Sequence, residues 1–281
     1  MAELMKGKVW GAVKPPAYPL YLERKYDGIR CHARLPQNGG VEYLSYAGKS
    51  LHNLGEYSQE MLVLHNETGY REFDFEVLVN GNFADTYRYL RSSTGVPKEL
   101  KGADVQFILL DFPGSLSEYT YRRQDRLDAA VRAYSKGAVH LETPYERLVH
   151  SEAEVVEEFH KALASGHEGL MLKTPQHLYE RGKRTAGWLK MKPEEDEDGQ
   201  IVQINEAISL TGVPLGRAGS VVVHMPDGST AQPSGIAHGL GKDMWENQEE
   251  YIGQWVQFKY MQRDRQGGYR HPIFIRLREE K

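Results

Sequence analysis

Residues 71–79 alternate with a period of two: Phe73, Phe75, Val77 and Val79 fall on one side, Glu72, Asp74 and Glu76 on the other. That pattern predicts a half-buried strand displaying three acids. The apolar run Val105-Gln-Phe107-Ile-Leu-Leu-Asp111 predicts a more deeply buried strand. Residues 18–27 read as extended, which groups Glu23, Lys25 and Asp27 on one face and Leu22, Arg24 and Tyr26 on the other. Helical spacing enters at Ser151-Glu-Ala-Glu154, a capping box followed by Val156, Phe159 and Leu163 as the inward face and Gly166 as the stop. A second helix is expected over 122–135, with Leu127, Ala130, Val131 and Tyr134 inward and Gly137 closing it. Beyond residue 200 the pattern changes to short β-rich runs at 201–208, 219–225, 255–260 and 272–277, with a turn at Pro226-Asp227-Gly228 and one helical stretch near 242–251.

Mixed strands and helices followed by a β-rich region predict an α+β chain that ends in a small OB-type barrel. The acids of Pro193-Glu-Glu-Asp-Glu-Asp-Gly199 have no apolar neighbour to bury, so residues 194–199 read as an exposed hinge between domains at 1–193 and 200–281. A length of 281 residues agrees with two domains. At 40% hydrophobic and 26% charged the chain is not disordered, and it has no apolar run long enough to span a membrane. No secretory signal is visible in the first ten residues, so a cytoplasmic location is expected. The single cysteine, Cys31, excludes an internal disulfide and a four-cysteine zinc site.

The net charge of −4 hides local patches. Residues 193–281 hold 9 Lys/Arg and 14 Asp/Glu, yet residues 181–192 carry Arg181, Lys183, Arg184, Lys190 and Lys192 with no acid. Residues 259–281 carry seven basic residues against three acidic. Both segments are candidate phosphate-tracking surfaces, although ordinary solvated charge explains the composition equally well.

Four further segments carry candidate chemistry. In Lys25-Tyr-Asp27-Gly28-Ile-Arg30 a lysine is flanked by carboxylates, as a nucleophile or as part of a surface ion-pair ladder. Phe107 is core by its surroundings, but an aromatic there is also able to stack on a flat base. In His167-Glu168-Gly169-Leu-Met-Leu-Lys173, the glycine leaves Glu168 room to reach a ligand or metal, while an ideal strand would turn Lys173 to the opposite face. Trp188-Leu-Lys190-Met-Lys192 places two ammonium groups on one side of a strand, where an anion between them relieves their repulsion.

In this order, the lysine strand, acidic strand, aromatic strand, E-G-x-x-x-K and K-x-K resemble the covalent nucleotidyltransferases, a superfamily of ATP-dependent DNA ligases, RNA ligases and mRNA capping enzymes. The blocks Tyr179-Glu-Arg-Gly-Lys-Arg184 and Trp188-Leu-Lys-Met-Lys-Pro193, and the segment from Tyr269 to Lys281, are similar to minimal, bacteriophage-like DNA ligases. The resemblance implies a nucleotidyltransferase (ATP-grasp-like ligase) domain before the OB-fold, and a monomer that seals 5′-phosphate/3′-OH nicks in duplex DNA with ATP and Mg²⁺. RNA ligase and mRNA guanylyltransferase are the alternatives.

By the resemblance, Lys25 is the adenylylated lysine, Asp27 its motif partner, and Arg30 the arginine that reaches sugar or nick. Glu76 serves ribose or metal, Glu168 assists metal and lysine, Phe107 stacks on adenine, and Glu23 stands at the adenine edge. Lys190 and Lys192 hold the α-phosphate, with Lys173 nearby; Arg270 and Lys281 face pyrophosphate. DNA contacts fall to Arg30, Lys49, Arg181, Lys183 and Arg184. Three positions depart from the family pattern: Tyr46 stands where Ser-Arg-x-Gly has its arginine, with Lys49 nearby; Phe75 replaces the glycine of Asp-Gly-Glu; and Glu280 replaces the terminal aspartate. The amine of Lys25 must lose its proton to attack phosphorus, which neighbouring lysines and a divalent cation favour and which Glu23 and Asp27 oppose.

Overall fold

The computed structural model describes residues 3–11, 13–14, 16–193, 195–209, 211–260, 263, 267–269 and 272–278. The chain divides into two compact units, Met1–Met191 and Lys192–Lys281. Among the described residues, no helix is long and apolar enough to cross a membrane.

The first unit contains β1 (Lys6–Val9), β2 (Leu20–Lys25), β3 (Ile29–Arg34), β4 (Glu42–Ser45), α1 (Ser58–Thr68), β5 (Glu72–Val79), α2 (Phe83–Arg91), β6 (Val105–Asp111) and α3 (Tyr119–Ser135). It continues with β7 (Leu141–Glu142), β8 (Glu146–Val149), α4 (Glu152–Ala164), β9 (Gly169–Lys173) and β10 (Arg184–Met191). These strands make two five-stranded sheets, ordered β1-β10-β9-β2-β8 and β4-β3-β5-β6-β7. In the second sheet one face carries Cys31, Ala33, Phe73, Phe75, Val77, Phe107 and Leu109 into a core with Met61 and Leu64 of α1 and Ala129 and Ala133 of α3. The first sheet buries Leu20, Leu22, Leu170, Leu172 and Leu189 with Val155 and Ala162 of α4. Because strand side chains alternate, the residues between these apolar positions project from the opposite faces, and there the unit builds its cavity.

In α3, and in α4 apart from Phe159, which packs against the core as expected, the inward face differs from the one the apolar residues suggest. The Ser151 hydroxyl does cap α4, accepting from the Glu154 N–H at 3.3 Å, but Val155, Glu158 and Ala162 are buried while Val156 is exposed. In α3 the buried residues are Tyr119, Arg122, Arg126, Ala129 and Ala133, whereas Val131 and Tyr134 are 73% and 63% exposed. The inward arginines are stable there because acids await them. Arg122 donates to both oxygens of Asp111 at 2.7 and 3.1 Å, and Arg126 pairs with Glu23 and Glu146, each at 2.8 Å.

The second unit contains β11 (Glu195–Ile208), β12 (Pro214–His224), β13 (Thr230–Ala231), α5 (His238–Glu246), α6 (Gln248–Tyr251), β14 (Trp255–Tyr260) and β15 (Ile273–Leu277). Its sheet order is β13-β12-β11-β14-β15 around Ile201, Ile204, Val221, Val223, Val256, Phe258 and Phe274. Among the described residues the two ends of this sheet meet only at the isolated Ser234–Ile273 bridge, so the expected barrel is not closed by a continuous ladder.

The acidic run corrects the hinge reading. Glu195 to Asp198 are strand residues, registered against Tyr260 to Gln257 of β14. Basic and polar neighbours replace apolar burial as the reason they are ordered: Asp198 pairs with Arg278 at 2.8 Å, Glu197 with Arg263 at 3.0 Å, and Asp196 accepts from Gln257. Two of the basic residues proposed for phosphate tracking are thereby engaged within their own unit.

Candidate active site

A cavity of about 460 Å³ opens between the polar faces of the first unit's two sheets, lined by seven basic residues and two acidic ones. On one side β2 supplies Glu23 and Lys25, β9 supplies Met171 and Lys173, and β10 supplies Trp188 and Lys190. Strand pairing aligns them: Glu23 and Lys190 both register with Met171, and Lys25 with Gly169. From the other sheet come Arg30, Glu76 and Leu110.

Lys25 Nζ donates to Glu168 Oε2. Glu168 lies just before β9 and is not itself among the lining residues, whereas Lys173 at the other end of the strand lines the cavity; Gly169 adopts φ +148°, a conformation side-chain-bearing residues rarely take. Gly28 is fixed by a close approach instead: a Cβ there would lie 2.3 Å from the Val77 carbonyl oxygen, and its N–H donates to Glu76 Oε1 at 3.1 Å. Asp27 is half-buried between β2 and β3 and is not among the lining residues.

Arg30 is held rigidly. Its guanidinium donates to both oxygens of Asp74, at 2.8 and 2.5 Å, with the Tyr179 hydroxyl on the same carboxylate at 2.8 Å. The charged groups of Arg30 and Lys173 sit 5.4 and 4.1 Å from the Trp188 ring centroid. Glu23 sits at the cavity floor; burial pushes its carboxyl up, but Arg126 and Lys173 outweigh that and hold it at about 2. It pairs with Lys173 at 2.7 Å and accepts from the Tyr119 hydroxyl, so its carboxylate is occupied by the protein instead of standing free at a base edge. Burial, then Arg184, Lys25 and Lys6, lower the pKa of Lys190. The share due to the three cations is the mutual repulsion that a bound anion relieves.

Several expected residues lie elsewhere. Phe107 is fully buried in the core opposite the cavity, against Phe75 and Tyr57; three positions on, with the parity reversed, Leu110 lines the cavity in its place. Lys192 follows the end of β10, belongs to the second unit and does not line the cavity, so the parallel Lys190–Lys192 pair is not formed on one strand. Lys49 is exposed in the turn after β4, its N–H on Ser45. Arg181 is bound to Glu72 at 2.8 Å and Glu3 at 2.9 Å, and Lys183 lies 3.4 Å from Glu180, whereas Arg184 lines the cavity and donates to the Gly7 carbonyl at 2.9 Å. Arg270 and Lys281 lie outside the described residues.

Residues 1–192 match the family model described as the ATP dependent DNA ligase domain, and residues 211–278 match the DNA ligase OB-like domain. The chain belongs to the ATP-dependent DNA ligase family. It is 33% identical over 132 residues to the DNA ligase of Enterobacteria phage T3, covering 44% of this chain and 37% of that one. The DNA ligase of Escherichia phage T7 is 28% identical over 157 residues, covering 46% and 42%. The chain thus aligns with less than half the length of either phage relative. Its fold is similar to a structure from a study of Lig E DNA ligases, with TM-score 0.78 and 20% identity over 99% of this chain and 100% of that one. The phage T7 ATP-dependent DNA ligase complexed with ATP is a more distant fold match, with TM-score 0.56 and 20% identity over 98% of both chains.

Within this ligase-family site, Leu110, Met171 and Lys6 are lining residues that sequence reasoning missed, and Trp188 and Tyr46, noted there only as a strand neighbour and a motif departure, line it as well. Parity would have found the first: Val77 registers with Phe107 and Glu76 with Ile108, so the acid-bearing face of β5 continues through the even-numbered residues of β6. Glu76 carries a measurable consequence. Burial pushes its carboxyl up to about 7, and Lys25 and Arg30 offset only part of that. A proton held more tightly in the folded than in the unfolded chain stabilises the fold at low pH, and this advantage is lost as pH rises from the ordinary 4.5 through about 7. Glu76→Gln is therefore expected to match the wild type near pH 4 and to gain up to about 3 kcal/mol near pH 8 in EDTA, measured by urea unfolding. No gain near pH 8 would contradict a half-buried, undercompensated carboxylate.

Proposed function

We propose that the chain is an ATP-dependent DNA ligase acting on nicked duplex DNA, and that Lys25 is its nucleophile. The observation that carries this reading is the position of Lys25: it stands in a cavity rich in cations, beside Glu168 and across from Glu76, in the unit matching the ligase domain family. In the first step the Lys25 amine attacks the α-phosphorus of ATP, forming an N–P bond as the bond to pyrophosphate breaks. Lys190 and Arg184 balance the phosphate charge, and Leu110, Met171 and Trp188 supply apolar surface for the base. AMP then passes to the 5′-phosphate of a nick, and the 3′-hydroxyl displaces it.

Among the described residues there is no cluster of three metal-ligating side chains. Mg²⁺ commonly takes one or two carboxylates together with substrate phosphates and water, so the donor set of Glu76 and Glu168 fits it. Bound there, the ion would supply positive charge to the phosphates.

The match of residues 211–278 to a DNA ligase OB-like domain favours this reading over RNA ligase or guanylyltransferase. The second unit is proposed to swing at the Lys192–Pro193 connection, ahead of the acidic strand. Incubation with α-labelled ATP or GTP, followed by nicked DNA or nicked RNA, tests the proposal. ATP labelling and DNA sealing are expected; GTP labelling or sealing of RNA alone would overturn it.

Because Arg181 is neutralised by Glu72 and Glu3, Arg181→Ala is expected to leave the salt dependence of nick retention unchanged. A log–log slope shallower by about 0.9, the loss of one phosphate contact, would show that Arg181 leaves its carboxylates for DNA.

A further inference from the structure

Tyr46 is the position where the ligase pattern places an arginine, and it lines the cavity. The Lys6 ammonium lies 3.3 Å from the centroid of its ring. Lys6 opens β1, and its register partner in the parallel ladder with β10 is Arg184, which also lines the cavity. Two cations are thus set side by side at the site by backbone pairing. Among the described residues neither makes an ion pair, in contrast to Arg181 and Lys183 a few positions earlier in the chain.

The choice of an aromatic partner matters. A carboxylate beside Lys6 would cancel its charge, whereas the face of a tyrosine orients the ammonium and leaves its charge uncompensated and its N–H donors available. Arg184 is fixed through one nitrogen, Nη1, to the Gly7 carbonyl, a neutral group that likewise leaves the charge intact. An unneutralised, oriented pair of cations on the wall of a cavity is a device for an anion.

We propose that Lys6, oriented by Tyr46 and paired with Arg184, forms a phosphate-binding site that takes the place of the absent arginine. The proposal rests on the ligase reading, and two phosphates suit the same chemistry: the β- and γ-phosphates of ATP, and the 5′-phosphate of the nick. Lys6 is the phosphate contact; Tyr46 is a positioning residue.

The test uses the full chain carrying Lys6→Met, Tyr46→Leu or Tyr46→Phe. One arm measures the KM for ATP in self-labelling. The other measures retention of nicked duplexes bearing 5′-phosphate or 5′-hydroxyl by adenylylated protein. Lys6→Met is expected to weaken one arm by about tenfold, the scale of a lost charged hydrogen bond. A raised KM for ATP with an unchanged 5′-phosphate preference assigns the site to the nucleotide; the reverse assigns it to the nick. Tyr46→Leu is expected to follow Lys6→Met in the same arm, with Tyr46→Phe restoring most of the loss because the ring is kept. A Lys6→Met chain equal to wild type in both arms, or Tyr46→Phe as impaired as Tyr46→Leu, would overturn the proposal. A wild-type chain that takes no label from ATP would instead overturn the ligase reading beneath it.

Discussion

Lys25→Ala is expected to abolish covalent labelling by α-labelled ATP while leaving the urea unfolding midpoint within experimental error of wild type. Removal of a covalent nucleophile lowers turnover by at least about 10⁴-fold, because the positioned groups left behind have nothing to present to the substrate. Folding should survive because Lys25 is at the end of β2, half-exposed to the cavity, and its partner Glu168 is left beside a site rich in cations. The same variant should still seal a nick already carrying 5′-adenylate, since that step needs no lysyl intermediate. Persistent labelling would move the nucleophile to another lysine, with Lys190, which lines the same cavity and feels the charge of Lys25, the next candidate. Labelling lost together with the unfolding transition would show only that Lys25 is structural.

The second large effect is expected beneath the site. Arg126 is fully buried and donates to Glu23, Glu146 and the Leu110 carbonyl. Arg126→Ala leaves Glu23 with Lys173 and Glu146 with Arg123 as their remaining cations, and losing one partner of a buried ion cluster costs about 3–5 kcal/mol. Urea unfolding of the full chain checks this. Because Glu23 is two residues before Lys25 on the same strand face, and Leu110 lines the cavity, self-labelling should fall even at temperatures where the variant remains folded. A variant less than about 1 kcal/mol weaker than wild type would mean that water or rearranged side chains compensate the acids, contrary to the enclosed network described above.

How far these features were legible in the sequence depended on which interaction fixed each residue. The strand at 71–79 and the shared face of Glu23 and Lys25 follow from a period of two, and the structure places Glu23, Lys25 and Glu76 around one cavity. The cap at Ser151 was equally readable, because it depends on residues three apart. The inward face of α3, and that of α4 apart from Phe159, was not. An apolar stripe assumes that burial selects hydrocarbon, whereas α3 turns Arg122 and Arg126 inward toward Asp111, Glu23 and Glu146, acids distant in sequence. The acidic segment 195–198 misled for the same reason: its strand is held by β14 pairing and by Arg263 and Arg278, more than 60 residues on.

Phe107 shows a different failure. Residue type suggested a base-stacking aromatic, but alternation along β6 sends Phe107 to the core and Leu110 to the cavity. Lys6 had no signal of its own, since only the parallel pairing of β1 with β10 brings it beside Arg184. Arg181, Lys183 and Arg184 looked equivalent in composition. The structure separates them by partner, binding Arg181 to two acids and turning Arg184 into the cavity.

The most direct test is peptide-mapped mass spectrometry of the whole chain after incubation with ATP and magnesium. One AMP is expected per chain, on the peptide containing Lys25, released by acid as a phosphoramidate is and discharged when nicked DNA is added. An unmodified mass, or AMP on a different residue, would contradict the assignment of Lys25 as the nucleophile of this site.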